Sequence, residues 1–337
     1  MAARSYFSGG NTGRGYEHFL EELLPRGADA RVCIVRGAMG TGRHLLLQRA
    51  AETWEHQGRE VVRFYSGADE TRLEAVISGE TALADGAEPR LLAERPGEMI
   101  LDLSAALDLN ALRPWRREAA GLYRRLRGLR ARAWRCLHVA HTAWSDSAAI
   151  YAEALDAGSV YNLRMELNEW LDGAPGRSGR VFAQTVSPQG LVSRADSLLR
   201  PHTLCLDLPW GLDADALLYP AAVALRSRGM GVLTAMHPLD GGTLAHLCTE
   251  THAVVGFLAP GKETRAPKLD GAVLRRERDA LAFNRAAYDL WLRQGTENLA
   301  AARACRDSLE RLVGDAVRPE IWNELAEKAL AFPEGIT

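Results

Sequence analysis

The sequence predicts an α/β fold built from two copies of one strand–helix unit, and three observations carry that prediction. First, the chain repeats itself: a shift of 171 residues aligns 35–86 with 206–257 without a gap and with ten identities, among them Gly40 with Gly211, Gly58 with Gly229 and Asp69 with Asp240. A slightly different shift pairs Phe7 with Phe182 and Gly15 with Gly190. Second, short apolar runs alternate with helical patterns in both copies, which argues for parallel strands covered by helices. Third, the run Gly173-Ala174-Pro175-Gly176-Arg177-Ser178-Gly179 separates the copies and reads as a linker.

In the first copy, Val32–Val35 has the unbroken apolar character of a strand buried on both faces. Residues 37–42 form a loop, and His44 to Gln57 reads as a helix ended by Gly58. Strands are expected at Glu60–Tyr65 and Thr81–Ala84, with a short helix at Glu70–Ser78 between them. Asp69 and Asp240, matched in the two copies, read as helix N-caps. The second copy repeats the pattern with a strand at Thr203–Leu206, a helix at Ala214–Arg228 and strands at Val232–Met236 and Ala253–Leu258. Each copy is followed by a helical arm, over about 112–171 and 271–331. The domains are therefore expected at 1–172 and 180–337, with 173–179 between them.

Composition narrows the function classes. Hydrophobic residues make up 47% and charged residues 25% of the 337, which fits globular domains rather than long disordered tracts. A formal net charge of -2 gives no global attraction to polyanions, so any such partner needs a local patch. The five cysteines are scattered without C-x-x-C spacing, which fits a reducing compartment and no zinc site. No apolar run has the roughly 18 residues of a membrane span, and the first residues lack a signal-peptide core, so a cytoplasmic protein without a membrane partner is expected.

The chemistry concentrates in the loop Gly37-Ala38-Met39-Gly40-Thr41-Gly42-Arg43-His44. It has the frame of the phosphate-binding pattern G-x-x-x-x-G-K-[ST], set between a strand and a helix as that pattern requires. Glycines let backbone N–H groups curl around phosphate oxygens, and the helix N-terminus favours an anion. Two residues depart from the pattern. Arg43 keeps the charge of the lysine in a bulkier planar fork. His44 replaces the hydroxyl that would hold Mg²⁺, a hard ion that prefers oxygen. Asp85, at the end of a strand beside the loop, is the acidic candidate for holding Mg²⁺ through water and the one catalytic candidate.

In the second copy Asp213, Ala214 and Asp215 stand at the final glycine, lysine and hydroxyl positions. A carboxylate about 4 Å from a phosphate charge costs roughly 4 kcal/mol at an effective dielectric near 20. That copy is expected to bind no phosphate. The fold class expected is therefore two tandem P-loop NTPase-like domains, with parallel sheets covered by helices and a helical arm after each.

These residues resemble a family of bacterial ATPases or nucleotide kinases with two P-loop domains in tandem. The resemblance covers nearly the whole chain. It rests on the leader Tyr6 to Gly15, the loop 37–44, Ser66-Gly67-Ala68-Asp69 with Leu73, and Ala84-Asp85-Gly86-Ala87-Glu88-Pro89. It implies that Asp85 is the acid nearest the Walker B position. The family's loop reads G-x-x-G-T-G-K-S, from which Arg43 and His44 depart, putting hydrolysis in doubt.

Two further features stand out. Arg113 to Arg135 holds nine arginines against Glu118 alone, with Trp115, Tyr123 and Trp134 interleaved. It reads either as a surface for a nucleic-acid or protein partner or as a solvated helix whose arginines pair with the second, more acidic arm; the second reading is preferred. His138 and His141 share a helical face without a nearby carboxylate or cysteine cluster, so packing or surface roles suit them. The function expected is binding of ATP or another purine nucleotide at Gly37 to His44, with slow or absent hydrolysis. The alternative is a non-catalytic scaffold that uses its arms to hold a partner.

Overall fold

The structure, a computed structural model, describes residues 4–86, 92, 93 and 95–332. It is mixed α/β, with one twelve-stranded sheet whose strands fall into two sets of identical order. The first set runs Ser5–Phe7, Val62–Ser66, Asp69–Ser78, Thr81–Asp85, Arg31–Arg36 and Met99–Asp102. The second runs Gly179–Phe182, Leu233–His237, Asp240–Cys248, His252–Val255, His202–Leu206 and Glu263–Arg265. Each set contains a single strand antiparallel to the rest, Asp69–Ser78 or Asp240–Cys248. The sets meet where Phe7 pairs antiparallel with Phe182, the two phenylalanines that the repeat had aligned. One apolar core runs through the joint, with Tyr6, Ile34 and Phe64 of the first set beside Val181, Cys205 and Val255 of the second.

The short helix expected at Glu70–Ser78 is instead the strand Asp69–Ser78. Its run Leu73 to Ile77 packs between two neighbours in an antiparallel hairpin, and that burial outweighs helical propensity. Asp69 is accordingly no helix N-cap. It turns the chain into the strand, accepting hydrogen bonds from the amide and hydroxyl of Thr71. Asp240 does the same in the second copy, where it accepts from the Gly242 amide and the Thr243 hydroxyl.

The arms are single long helices, Arg116–Ala154 and Arg278–Gly314. They pack antiparallel: Leu126 lies against Ala302 and Cys305, Leu137 against Gly295, and Asp146 accepts from Asn284. Their continuations cross over. The helix after the first arm, Ala157–Trp170, packs Val160, Leu163 and Leu167 on Leu217, Leu218 and Ala221 of the second copy. The helix after the second arm, Pro319–Ala331, packs Ala326 and Ala329 on Leu46, Leu47 and Ala50 of the first. The stretch around 173–179 is tied down as well, since the Gly176 amide donates to Gly229 and the Gly231 amide to Ala174. Among the described residues no helix is long and apolar enough to cross a membrane.

Candidate functional site

The strand Arg31–Arg36 lies between Thr81–Asp85 and the edge strand Met99–Asp102, so its C-terminal end opens one strand in from the edge of the sheet. Residues 37–42 leave that end and turn into the helix Arg43–His56. Gly42, in the left-handed region at φ 78°, is the N-cap, and it brings no side chain to the helix start. The first amides of a helix have no intrahelical acceptor, so this end is a set of donors facing the loop.

Both arms complete the site. Gly40, at φ 94°, lies directly under the second arm: a Cβ there would sit 2.7 Å from the Val313 Cβ and 2.9 Å from the Glu310 carbonyl. Only glycine permits that approach. The indole of Trp322, on the helix that follows, donates to the Thr41 carbonyl at 2.9 Å. A cavity of about 220 Å³ remains between loop and arms, lined by Ala38 to Leu45 with Asp85, Glu74 and four arginines, Arg43, Arg72, Arg130 and Arg306.

The structure brings Ala38 to His44 together with Asp85 around this cavity, while Gly37 lies outside its lining and meets the site only through its carbonyl, which accepts from Arg43. Val35 pairs in register with Asp85, which sets the carboxylate beside the loop. Arg43 turns back on the loop. Its Nε meets Asp85 Oδ1 at 3.0 Å, and its Nη1 donates to the Ala38 carbonyl at 2.8 Å and also to that of Gly37. His44 borders the same cavity. Burial and the guanidinium of Arg72 hold its imidazole below the ordinary value, so it is neutral at pH 7. Ala87, Glu88 and Pro89 of the motif after Asp85 lie outside the described residues.

Sequence reasoning missed the carboxylate of Glu74 and the arginine wall. A β-bulge between Tyr65 and Phe64 leaves Glu74 without a cross-strand partner and re-aims it. It is buried, accepting from the Ser8 hydroxyl at 2.5 Å and the Tyr16 hydroxyl at 2.6 Å. The misread helix concealed it, because only a strand with a bulge places 74 in the cavity. Arg72 binds Glu310 through two parallel hydrogen bonds of 2.6 Å, while Arg306 and Arg72 both meet Asp69. Arg72 and Arg306 thereby join a strand of the first copy to the second arm, through contacts 238 and 237 residues apart in the chain that no local pattern announces.

At the matching place in the second copy a cavity of about 220 Å³ also lies at the loop, but its interior is different. Arg43, Glu74 and Asp85 correspond to Ala214, Ala245 and Gly256. Trp144, Trp210, Tyr288, His237 and His246 line it. Burial, joined at His237 by the nearby His141, pushes His237 down to about 3, and burial alone takes His246 to about 4, so both are neutral. Asp213 accepts from the Asp215 amide at 2.8 Å, occupying the helix start, and Asp215 accepts from the Leu244 amide at 3.0 Å. Burial pushes the Asp213 carboxyl up to about 6. Gly211, at φ 94°, lies under the first arm, where a Cβ would come 2.8 Å from the Ser147 Cβ.

The remaining candidates fall elsewhere. His138 is exposed, and His141 stacks on Trp144 with ring centroids 5.9 Å apart. Among the described residues no cluster of three or more metal-ligating side chains forms. Eight of the nine arginines of the basic segment are solvated, as expected, but do not make the expected pairing with the second arm; Arg130 alone turns toward the cavity. Arg113, Arg116, Arg117, Arg124, Arg125, Arg127, Arg132 and Arg135 are exposed and form no ion pair among the described residues, because they lie on the side of the helix away from its partner. No family model, curated protein or solved structure matches the chain.

Proposed function

We propose that the chain is a tandem P-loop NTPase-like protein of the cytoplasm that binds ATP or another purine nucleotide through the first copy and hydrolyses it slowly or not at all. The observation that carries this reading is the cavity where the glycine loop and an uncapped helix start face Arg72, Arg130 and Arg306. Loop amides and the helix dipole favour phosphate oxygens. A guanidinium carries five donors, so Arg72 and Arg306 keep donors for a ligand while holding Asp69 and Glu310. To reach a phosphate, Arg43 exchanges its contacts with the Gly37 and Ala38 carbonyls and with Asp85 for the ligand.

Mg²⁺ fits this site poorly. Its expected carboxylate, Asp85, is engaged by Arg43, and a neutral imidazole stands where a hydroxyl would bind the ion. Nucleotide binding is therefore expected to depend little on Mg²⁺, and turnover to be weak. Calorimetric titration with ATP, with and without Mg²⁺, tests the reading. Binding in both conditions is expected, and no heat with any purine nucleotide at millimolar concentration would overturn it.

A second reading, a non-catalytic scaffold, is favoured by two observations. The Arg43 guanidinium already fills part of the loop, and Phe283, Leu290 and Trp291 stand exposed on one face of the second arm. An unchanged chain that fails to bind nucleotide but captures a protein through that face would establish it.

A further inference from the structure

The outer face of the first arm is the largest charged feature that the nucleotide reading leaves unused. From Arg116 to Arg135 the helix rises about 29 Å at 1.5 Å per residue. Arg116, Arg117, Arg124, Arg125, Arg127, Arg132 and Arg135 fall within about half its circumference at 3.6 residues per turn. The other half, through Leu126, Ala133 and Leu137, is buried against the second arm. All seven are exposed and, among the described residues, have no acidic partner. Ala120, Gly121, Gly128 and Ala131 lie between them, so no bulky side chain holds a flat anion off the helix. In a chain of formal net charge -2, residues 113–135 hold nine arginines and one acid, Glu118.

We infer that this face binds the phosphate backbone of double-stranded nucleic acid. A duplex presents on the order of 17 phosphate charges over 29 Å, a polyanion matched in length and regularity to seven arginines on a rigid rod. Arginine's planar fork suits phosphate oxygens. Single strands are usually gripped by aromatic stacking, but Tyr123 and Trp134 are turned partly into the packed side and only Trp115, at the start, is exposed. A membrane-surface helix would need its apolar face free, and here that face is packed against the second arm.

The test is fluorescence anisotropy with a labelled duplex of about 20 base pairs at about 50 mM salt, without nucleotide or Mg²⁺. Its result is thus independent of the loop's function. Binding is expected to weaken with salt at a logarithmic slope of about −4 to −6, as four to seven neutralised phosphates require. Arg117→Glu, Arg124→Glu and Arg135→Glu together should reduce affinity at least about a hundredfold, with the circular dichroism spectrum unchanged because all three face solvent. The same three changed to Lys should retain most of it. Three results would each overturn the inference: no binding of the duplex at tens of micromolar protein, binding that ignores salt or the triple reversal, or capture only of single strands, anionic vesicles or an acidic peptide.

Discussion

The two copies have the same strand order, the same bulge in the antiparallel strand and a left-handed glycine pressed under an arm, yet their interiors are chemically opposite. Around the first loop stand four arginines and the carboxylates of Glu74 and Asp85. Around the second stand aromatic rings and two neutral histidines, and the helix start is taken by Asp213. The backbone frame therefore does not depend on the charges around its loop. What preserves it is packing. Gly40 and Gly211 are held by opposite arms, and each arm passes its following helix to the other copy.

The largest effect separating the copies is expected at the matched aspartates. Asp69 is buried with Arg306 and Arg72, whereas the Arg14 partner of Asp240 is largely exposed. Asp69→Ala takes from the buried Arg306 guanidinium its buried carboxylate, while Arg72 keeps Glu310, and should cost about 3–5 kcal/mol in chemical denaturation. Asp240→Ala should cost about 1 kcal/mol. Burial raises the Asp69 carboxyl, but hydrogen bonds from Thr71 and the charges of Arg306 and Arg303 outweigh it and hold the group below its ordinary value. Its contribution is therefore complete above the unfolded-state pKa and lost as pH falls through the folded value. The acid limb of the stability profile should be shallower in Asp69→Ala.

A middle-sized effect tests the packing of the loops. Gly40→Ala and Gly211→Ala each force a side chain into a left-handed residue and into an arm, and should cost about 2–4 kcal/mol. Gly58→Ala shares the left-handed backbone, at φ 76°, but its Cβ meets nothing within 4 Å, so about 1–2 kcal/mol is expected. Equal costs at all three sites would mean that the arms do not hold the loops.

The smallest effect concerns Asp213. Its raised carboxyl pKa, about 6, means that ionisation opposes folding: stability contributed below the unfolded value is lost as pH rises through 6. Asp213→Asn keeps a capping oxygen and removes the charge. It should gain about 1 kcal/mol above pH 6, after allowance for partial solvent screening, and nothing near pH 4. A variant less stable than the parent at pH 8 would show that the cap needs a charge.

Much of this frame was legible in the sequence because duplication leaves paired glycines and paired apolar runs at fixed spacing. Phe7 and Phe182, aligned by the repeat, meet at the joint of the sheet. The loop 37–44 and Asp85 were readable because one segment and one strand end supply them. Glu74 and the arginines of Arg72 and Arg306 were not. The first depends on a bulge inside a segment with helical composition, and the others on an arm that returns from the far end of the chain. Likewise the basic segment's charge was plain, but whether its arginines faced the second arm or solvent depended on which side of the helix was packed.

The claim that the first copy alone holds a phosphate site is tested most directly by binding ATP to two matched double variants. Arg43→Lys with His44→Thr frees Asp85, supplies a compact charge and restores an oxygen for Mg²⁺. It should tighten ATP binding at least about tenfold, roughly 1.4 kcal/mol, and make that binding depend on Mg²⁺. Ala214→Lys with Asp215→Thr should change ATP binding little, since Asp213 still occupies the helix start of the second copy. If the first variant binds no better than the parent, or the second binds as well as the first, the account of the two copies is wrong.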